Sequence, residues 1–129
     1  GGYTYFPNSS NSWERTGGED PSSSYFNSAK KVPVTNGHKY YLYVNFVSIT
    51  SEEMYYQMKN TNQSIVIYAY SSNGVIYSPT YDDSNNVFCL RGGVNGDRTI
   101  NYGFVLDLTN IFGANNEPTA QEFYNKYNK

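Results

Sequence analysis

The 129-residue sequence is poor in charge, in cysteine and in long apolar runs. Charged residues make up 16% of it, and the formal net charge is −2. A nucleic-acid surface needs a basic patch, so this balance argues against a nucleic-acid partner. The single cysteine, Cys89, excludes an intrachain disulfide, and its apolar neighbours predict a buried structural thiol. No apolar stretch approaches the roughly 20 residues of a membrane-spanning helix.

The sequence also lacks the motifs of common enzyme classes. It contains no H-x-x-x-H, G-x-S-x-G or P-loop pattern. A catalytic histidine needs a nucleophile or a carboxylate partner, so the sole histidine, His38, is interpreted as structural or surface-exposed. The acids stand mostly in Ser- and Asn-rich loops, whereas a glycosidase needs two carboxylates facing each other across a cleft. We therefore predict a non-enzymatic protein, and a hydrolase is the weakest alternative.

What the chain does have is aromatic residues, among them 15 Tyr and 7 Phe. Runs rich in Tyr, Thr, Val and Ile, separated by Asn, Ser and Gly, are typical of strands joined by polar turns. We predict a single all-β domain over residues 1–129, a β-sandwich or jelly roll of about eight strands with a short C-terminal helix. The strands are expected at 3–6, 22–26, 38–47, 54–58, 65–70, 75–77, 87–91 and 100–106.

The clearest strand signal lies at 38–47, where Tyr40, Leu42, Val44 and Phe46 would face one side and Tyr41, Tyr43, Asn45 and Val47 the other. Segment 52–59 also permits a helix. Ser72-Asn73-Gly74 carries the Asn-Gly signal of a hairpin that would join 65–70 to 75–77. Residues 8–21 and 81–86 are predicted as polar loops.

Residues 106–127, here called the C-terminal clasp, combine several helix signals. Asp107 and Thr109 can cap a short helical turn, and Gly113 can end it. Thr119 and Glu122 have capping-box spacing, which predicts a last helix through about residue 127. The apolar residues of the clasp are Leu108, Ile111, Phe112 and Phe123. They are expected to plug one end of the sandwich, and a second hypothesis is that they dock a neighbouring subunit.

Two segments resemble a known family. DLTNIFGANNEP, residues 107–118, resembles the DLT-x-x-FGAGNEP signature that ends β-sandwich domains in structural and tail-associated proteins of phages and prophages of Gram-positive hosts. NGHKYYLYVNF, residues 36–46, is similar to the NGHKYY strand of the first half of such domains. Asn115 stands where the signature usually has Gly, and Asn is the next most tolerant residue for a left-handed backbone. The chain also resembles the jelly rolls of carbohydrate-binding modules.

Aromatic rings flanked by polar side chains suggest sugar binding, because rings stack on the apolar faces of sugars. Trp13, beside Glu14 and Arg15 in the first polar loop, is one candidate. The second candidate set is Tyr77, Tyr81, Asp82, Asp83, Arg91, Asp97 and Arg98. The alternative is that these aromatic residues are packed in the core or serve a protein interface.

No cofactor is predicted, although two groups of oxygen ligands could hold a structural Ca²⁺. One is the run 82–86, and the other comprises Glu19, Asp20 and Asp107, which rests on fold analogy alone.

The resemblance implies a phage or prophage virion protein, or a related bacterial surface protein, located in a virion or at a cell surface. Its expected role is structural, decorating or receptor-attaching. The partners would be other virion or surface subunits and, as a candidate, a cell-surface glycan. The alternative function is a carbohydrate-binding module of a secreted or surface protein.

Overall fold

The computed structural model describes residues 3–7, 13–16, 25–48, 54–59, 65–69, 71–92 and 99–128. These residues contain nine strands and two short α-helices, the second of which continues into a π-helical segment. The strands are β1 (Tyr3–Pro7), β2 (Trp13–Thr16), β3 (Tyr25–Val34), β4 (Tyr40–Ser48), β5 (Met54–Lys59), β6 (Ile65–Ala69), β7 (Val75–Tyr77), β8 (Asp83–Gly92) and β9 (Thr99–Asp107). The helical elements are α1 (Leu108–Phe112), α2 (Ala120–Phe123) and the π-helical segment Tyr124–Asn128.

The strands form two antiparallel sheets, in the orders β1-β9-β4-β7 and β2-β3-β8-β5-β6. The predicted all-β sandwich is therefore confirmed. The inner face of β4 contributes Tyr40, Leu42 and Val44 to the core, as its alternation predicted. The other fully buried members of this core are Val32, Val34, Tyr56, Met58, Tyr77, Phe88 and Val105.

A second apolar cluster lies on the outer face of the four-stranded sheet. The opposite side chains of β4 and β9 contribute Tyr41, Tyr43, Phe104 and Leu106, and the clasp covers them with Leu108 and Phe123. The clasp therefore packs on a sheet face and does not plug an end of the sandwich. Alternation explains this arrangement, because both faces of β4 are aromatic or aliphatic and each needs a covering layer.

Several sequence predictions are corrected by strand pairing. The Ser72-Asn73-Gly74 turn forms, with the Gly74 amide donating to the Ser71 carbonyl at 3.0 Å, yet it does not make a hairpin. β6 pairs with β5 and β7 pairs with β4, so the turn carries the chain from one sheet to the other. The predicted loop 8–21 contains β2, which pairs with β3.

The second predicted loop, 81–86, is also wrong in part, because β8 already begins at Asp83 and pairs with β3 from there. Segment 54–59 is a strand and not a helix. Cys89 is fully buried, as expected. Within the described ranges, no helix has the length and apolar character required to span a membrane.

Candidate binding surface

Segments 36–46 and 107–118 meet in space and are joined by hydrogen bonds. His38, before β4, pairs its Nδ1 with Oδ2 of Asp107 at 2.8 Å. The other carboxylate oxygen of Asp107 accepts the Asn110 amide at 3.0 Å, which is the predicted N-cap of α1. One carboxylate thus orients the histidine and starts the helix, because each of its oxygens can accept a separate donor.

Thr109 makes the second connection between the segments. Its Oγ1 accepts the Lys39 amide at 2.8 Å and donates to Oε2 of Glu117 at 2.6 Å. The Leu108 amide donates to the Lys39 carbonyl at 2.8 Å. The hydrogen bond from Thr109 lowers the pKa of the Glu117 carboxyl below its ordinary value. The Thr and Glu of the DLT and NEP parts of the motif therefore act as one unit.

The turn that returns Glu117 to Thr109 uses left-handed backbone. Gly113 has φ 94°, and Asn115 has φ 67°. Asn115 thus adopts a conformation that Asn tolerates better than other non-glycine residues. After the turn, Thr119 and Glu122 form the predicted capping box of α2.

The last helical segment is held against the sheet through Tyr41 of β4. The ring of Phe123 lies 4.6 Å from that of Tyr41 between centroids. The Tyr41 hydroxyl donates to the Asn73 carbonyl at 2.6 Å and accepts Nδ2 of Asn128 at 3.2 Å. Burial raises the pKa of Tyr41 far above its ordinary range, so its hydroxyl stays a donor. The clasp, the sheet and the turn between β6 and β7 are therefore connected at one side chain.

Beyond the clasp, the same outer face is exposed. β1 is an edge strand of the four-stranded sheet, and its Tyr3 and Tyr5 pair with Leu106 and Phe104 of β9. Cross-strand partners point to the same side, so both tyrosines lie on the outer face. Tyr3 is 58% exposed and Tyr5 is 41% exposed. Tyr102 is partly buried beside them.

The rings of Tyr3, Tyr5 and Tyr102, here called the tyrosine face, form a continuous set. The centroids of Tyr3 and Tyr5 are 6.2 Å apart with planes inclined by 11°, and those of Tyr5 and Tyr102 are 6.3 Å apart. Tyr102 in turn lies 6.0 Å from Tyr43, which the clasp covers in part. Burial, before any other cause, raises the pKa of Tyr3 and of Tyr102, so these hydroxyls are neutral at neutral pH.

Amide groups border the tyrosine face. Nδ2 of Asn45 donates to the Tyr43 hydroxyl at 3.0 Å, and Oδ1 of Asn45 accepts Nδ2 of Asn101 at 2.7 Å. These bonds fix the Asn45 side chain and leave it one further donor and one further acceptor position. The surface thus combines exposed rings, phenolic hydroxyls and an oriented amide.

None of the predicted ligand residues whose placement is described belongs to the tyrosine face. Trp13 lies in β2, paired with Ser28, and its side chain is outside the described set. Arg91 lies in β8, and nothing is described of its side chain either. Asp97 and Arg98 are outside the described residues.

The remaining predicted residues are Tyr77, Tyr81, Asp82 and Asp83. They lie away from the tyrosine face, in or against the core or at the start of β8. Tyr77 is 1% exposed in the core and hydrogen-bonds through its hydroxyl to Tyr81, so it presents no ring to the surface. Asp82 accepts the Asn36 amide at 2.8 Å, and Asp83 accepts the Asn85 amide at 2.7 Å. Asp82 and Asp83 border an open depression of about 350 Å³.

The calcium candidates that the structure describes are engaged in other contacts or lie along a strand. Glu19 and Asp20 are outside the described residues, and Asp107 holds His38 and caps α1. The 82–86 run passes from a bend into strand β8, where successive side chains point to opposite faces. Among the residues with described placement, no three His, Cys, Asp or Glu side chains converge on a common point.

The clasp residues Leu108 and Phe123 are buried, Phe112 is partly buried, and Ile111 is 51% exposed. Sequence reasoning missed Tyr3, Tyr5 and Tyr102 as surface residues. Their signal was the Tyr-Thr-Tyr alternation at 3–5 and the matching parity of Tyr102 and Phe104 in β9. This alternation could not identify the exposed surface by itself, because that inference also requires the pairing of β1 with β9.

Comparison with family models, curated proteins and solved structures gives no match for this chain.

Proposed function

We propose that the chain is a non-enzymatic binding domain of a phage or prophage virion, acting in structure or receptor attachment, and that the tyrosine face is its contact surface. The observation that carries the proposal is the exposure of Tyr3 and Tyr5 on an edge strand of a rigid sheet. Exposed aromatic rings are enriched in binding surfaces because they offer large contact areas at low conformational cost.

The joint between the two motif segments supports the virion part of the proposal. The resemblance covers segments 36–46 and 107–118, and these are the segments that His38–Asp107 and Lys39–Thr109 hold together. Two motif segments that contact each other in the fold would be needed together. Their joint presence therefore favours a domain of the phage type over a chance similarity of either segment.

The arrangement of polar groups supports a binding role more than catalysis. His38 is bonded to Asp107, whose second oxygen caps a helix, so both side chains serve the clasp. A catalytic histidine–carboxylate pair would also need a nucleophile beside the second ring nitrogen, and no hydrogen bond among the described residues joins His38 to one. The two residues act here as a structural connection between β4 and α1.

The test measures binding of the fluorescently labelled chain to a panel of Gram-positive cells by flow cytometry, together with self-association by sedimentation velocity. Wild-type chain should bind cells or self-associate, and Tyr5→Ala should weaken whichever contact is seen by about tenfold or more. Tyr127→Ala is the matched control, because Tyr127 is 54% exposed on the clasp and its described ring contacts are with Phe112 and Phe123, neither of which belongs to the tyrosine face. It should behave as wild type.

Two outcomes would contradict the proposal. The contact surface would be the clasp and not the tyrosine face if Tyr127→Ala removed the contact and Tyr5→Ala did not. A catalytic role would replace the binding role if the purified chain released soluble sugars from Gram-positive cell walls and Asp107→Asn, at unchanged thermal stability, abolished that release.

A further inference from the structure

We propose that the ligand of the tyrosine face is a neutral glycan. The rings of Tyr3, Tyr5 and Tyr102 would contact the apolar faces of the sugars, and the tyrosine hydroxyls and the Asn45 amide would bind sugar hydroxyls. This inference rests on the proposed role of the face as a contact surface. It adds the chemical class of what is bound.

The first argument is the absence of charged residues among the described side chains of the face. The described outward side chains of β1, β9 and β4 are Tyr3, Tyr5, Tyr102, Phe104, Leu106, Tyr41, Tyr43 and Asn45, none of which is Asp, Glu, Lys, Arg or His. An acidic polysaccharide or a phosphorylated polymer would gain nothing from such a surface, because anion recognition uses Arg, Lys or arrays of backbone amides. An uncharged partner fits it.

The second argument is the size of the exposed area. The exposed fractions of Tyr3 and Tyr5 are 58% and 41%. A tyrosine presents roughly 200 Å², so these two rings together expose on the order of 200 Å². A stable protein interface buries about 800 Å² on each partner, several times more. A few sugar units match the smaller area.

The third argument is that hydrogen bonds already hold the polar groups in place before a ligand binds. The Asn45 amide is held by Tyr43 and Asn101, and its bonds to described residues leave one donor and one acceptor position for a ligand. Sugar hydroxyls both donate and accept, so they can use the two positions together. Side chains that are already ordered lose little conformational entropy on binding, which matters for a weak, small ligand.

The experiment is native affinity electrophoresis of the whole chain in gels containing dextran, mannan, galactan or neutral polysaccharide extracted from Gram-positive cell walls, with heparin as the acidic comparison. Wild-type chain should be retarded by at least one neutral polymer and not by heparin. Tyr5→Ala should weaken that binding about tenfold, as loss of a ring contact predicts. Tyr5→Phe, which keeps the ring, should weaken it less, and Tyr127→Ala should not change it. Thermal unfolding of each variant reports whether it is folded.

The glycan inference is overturned if no neutral polymer retards the wild-type chain, if heparin retards it more strongly, or if Tyr5→Ala and Tyr127→Ala behave alike in the gels. Failure of the glycan inference and failure of the proposed function are distinguishable. If Tyr5→Ala weakens cell binding or self-association while every polysaccharide gel is negative, the tyrosine face remains the contact surface and its partner is a protein.

Discussion

Replacing Phe123 by Ala tests whether the clasp is an integral part of the fold. Phe123 is 7% exposed, and its ring centroid lies 4.6 Å from that of Tyr41 and 5.0 Å from that of Tyr127. Phe→Ala substitutions in protein cores cost about 3–5 kcal/mol, the sum of lost transfer free energy and the cavity left behind. The clasp can shift toward the sheet and close part of that cavity, so we expect the lower end, about 3 kcal/mol.

The assay is urea unfolding followed by far-ultraviolet circular dichroism. With a slope of about 1.5 kcal/mol per molar urea, a loss of about 3 kcal/mol lowers the midpoint by about 2 M. Ile111→Ala is the control in the same clasp. Ile111 is 51% exposed, so its truncation should change the free energy of unfolding by less than about 1 kcal/mol.

The reasoning is refuted if Phe123→Ala and Ile111→Ala lower the midpoint by similar amounts. Hydrogen exchange gives a second readout, because the amides of Leu108 and Lys39 are bonded across the joint between clasp and sheet. Their protection should fall in Phe123→Ala. Unchanged protection together with an unchanged midpoint would mean that the clasp contributes nothing to the free energy of unfolding.

Three further predictions concern backbone, pH and thiol chemistry. Gly74→Ala and Gly37→Ala place a side chain at nearly the same positive φ, 86° and 85°, but the new Cβ lies 2.6 Å from the Tyr41 ring at the first site and meets nothing within 4 Å at the second. In urea unfolding, the loss of stability should therefore be about 1–3 kcal/mol larger for Gly74→Ala than for Gly37→Ala. Equal losses would contradict the steric argument. The hydrogen bond from Thr109 lowers the pKa of the Glu117 carboxyl from 4.5, so the carboxylate stabilises the fold above about pH 4.5 and this contribution is lost as the pH falls through the lowered pKa of the folded state. Glu117→Gln should therefore lose less stability than wild type on acidification from about pH 5 to 3. Parallel plots of unfolding free energy against pH would refute this. Burial raises the pKa of Cys89 to about 11, so a disulfide reagent such as Ellman's reagent should label it in urea and not in the native state, whereas rapid native labelling would show that the site opens.

The features that sequence could predict are those set by local rules. The alternation of β4 assigned Tyr40, Leu42 and Val44 to one side and Tyr41 and Tyr43 to the other, and the two apolar clusters follow that division. The caps of the clasp were also predictable, because each is a hydrogen bond between a side chain and the backbone amide three residues later and so depends on local sequence alone.

Long-range pairing was not predictable from the same signals. The Asn-Gly turn at 73–74 specifies a reversal of the chain and says nothing about which sheet the next strand joins. The acidic and amide residues at 83–86 have low strand propensity, yet they extend β8 because β3 offers partners to Asp83 and Asn86. Tertiary pairing outweighs a preference of this size.

The tyrosine face depended on three facts at once: that β1 pairs with β9, that it is an edge strand, and that the clasp covers Tyr41 and Tyr43 but leaves Tyr3 and Tyr5 exposed. None of these is local. The predicted candidates were chosen from polar loops, whereas the exposed rings lie on a sheet.

The pairing of β1 with β9 also links two remote parts of the described chain. Tyr3 stands opposite Leu106, Leu106 stands opposite Tyr41, and Asn128 bonds to the Tyr41 hydroxyl. Neighbouring strands are about 5 Å apart, so two strand spacings and one tyrosine side chain separate residue 3 from residue 128. A force applied between these two residues would therefore act first on β1 and the last helical segment, before it reached the five-stranded sheet.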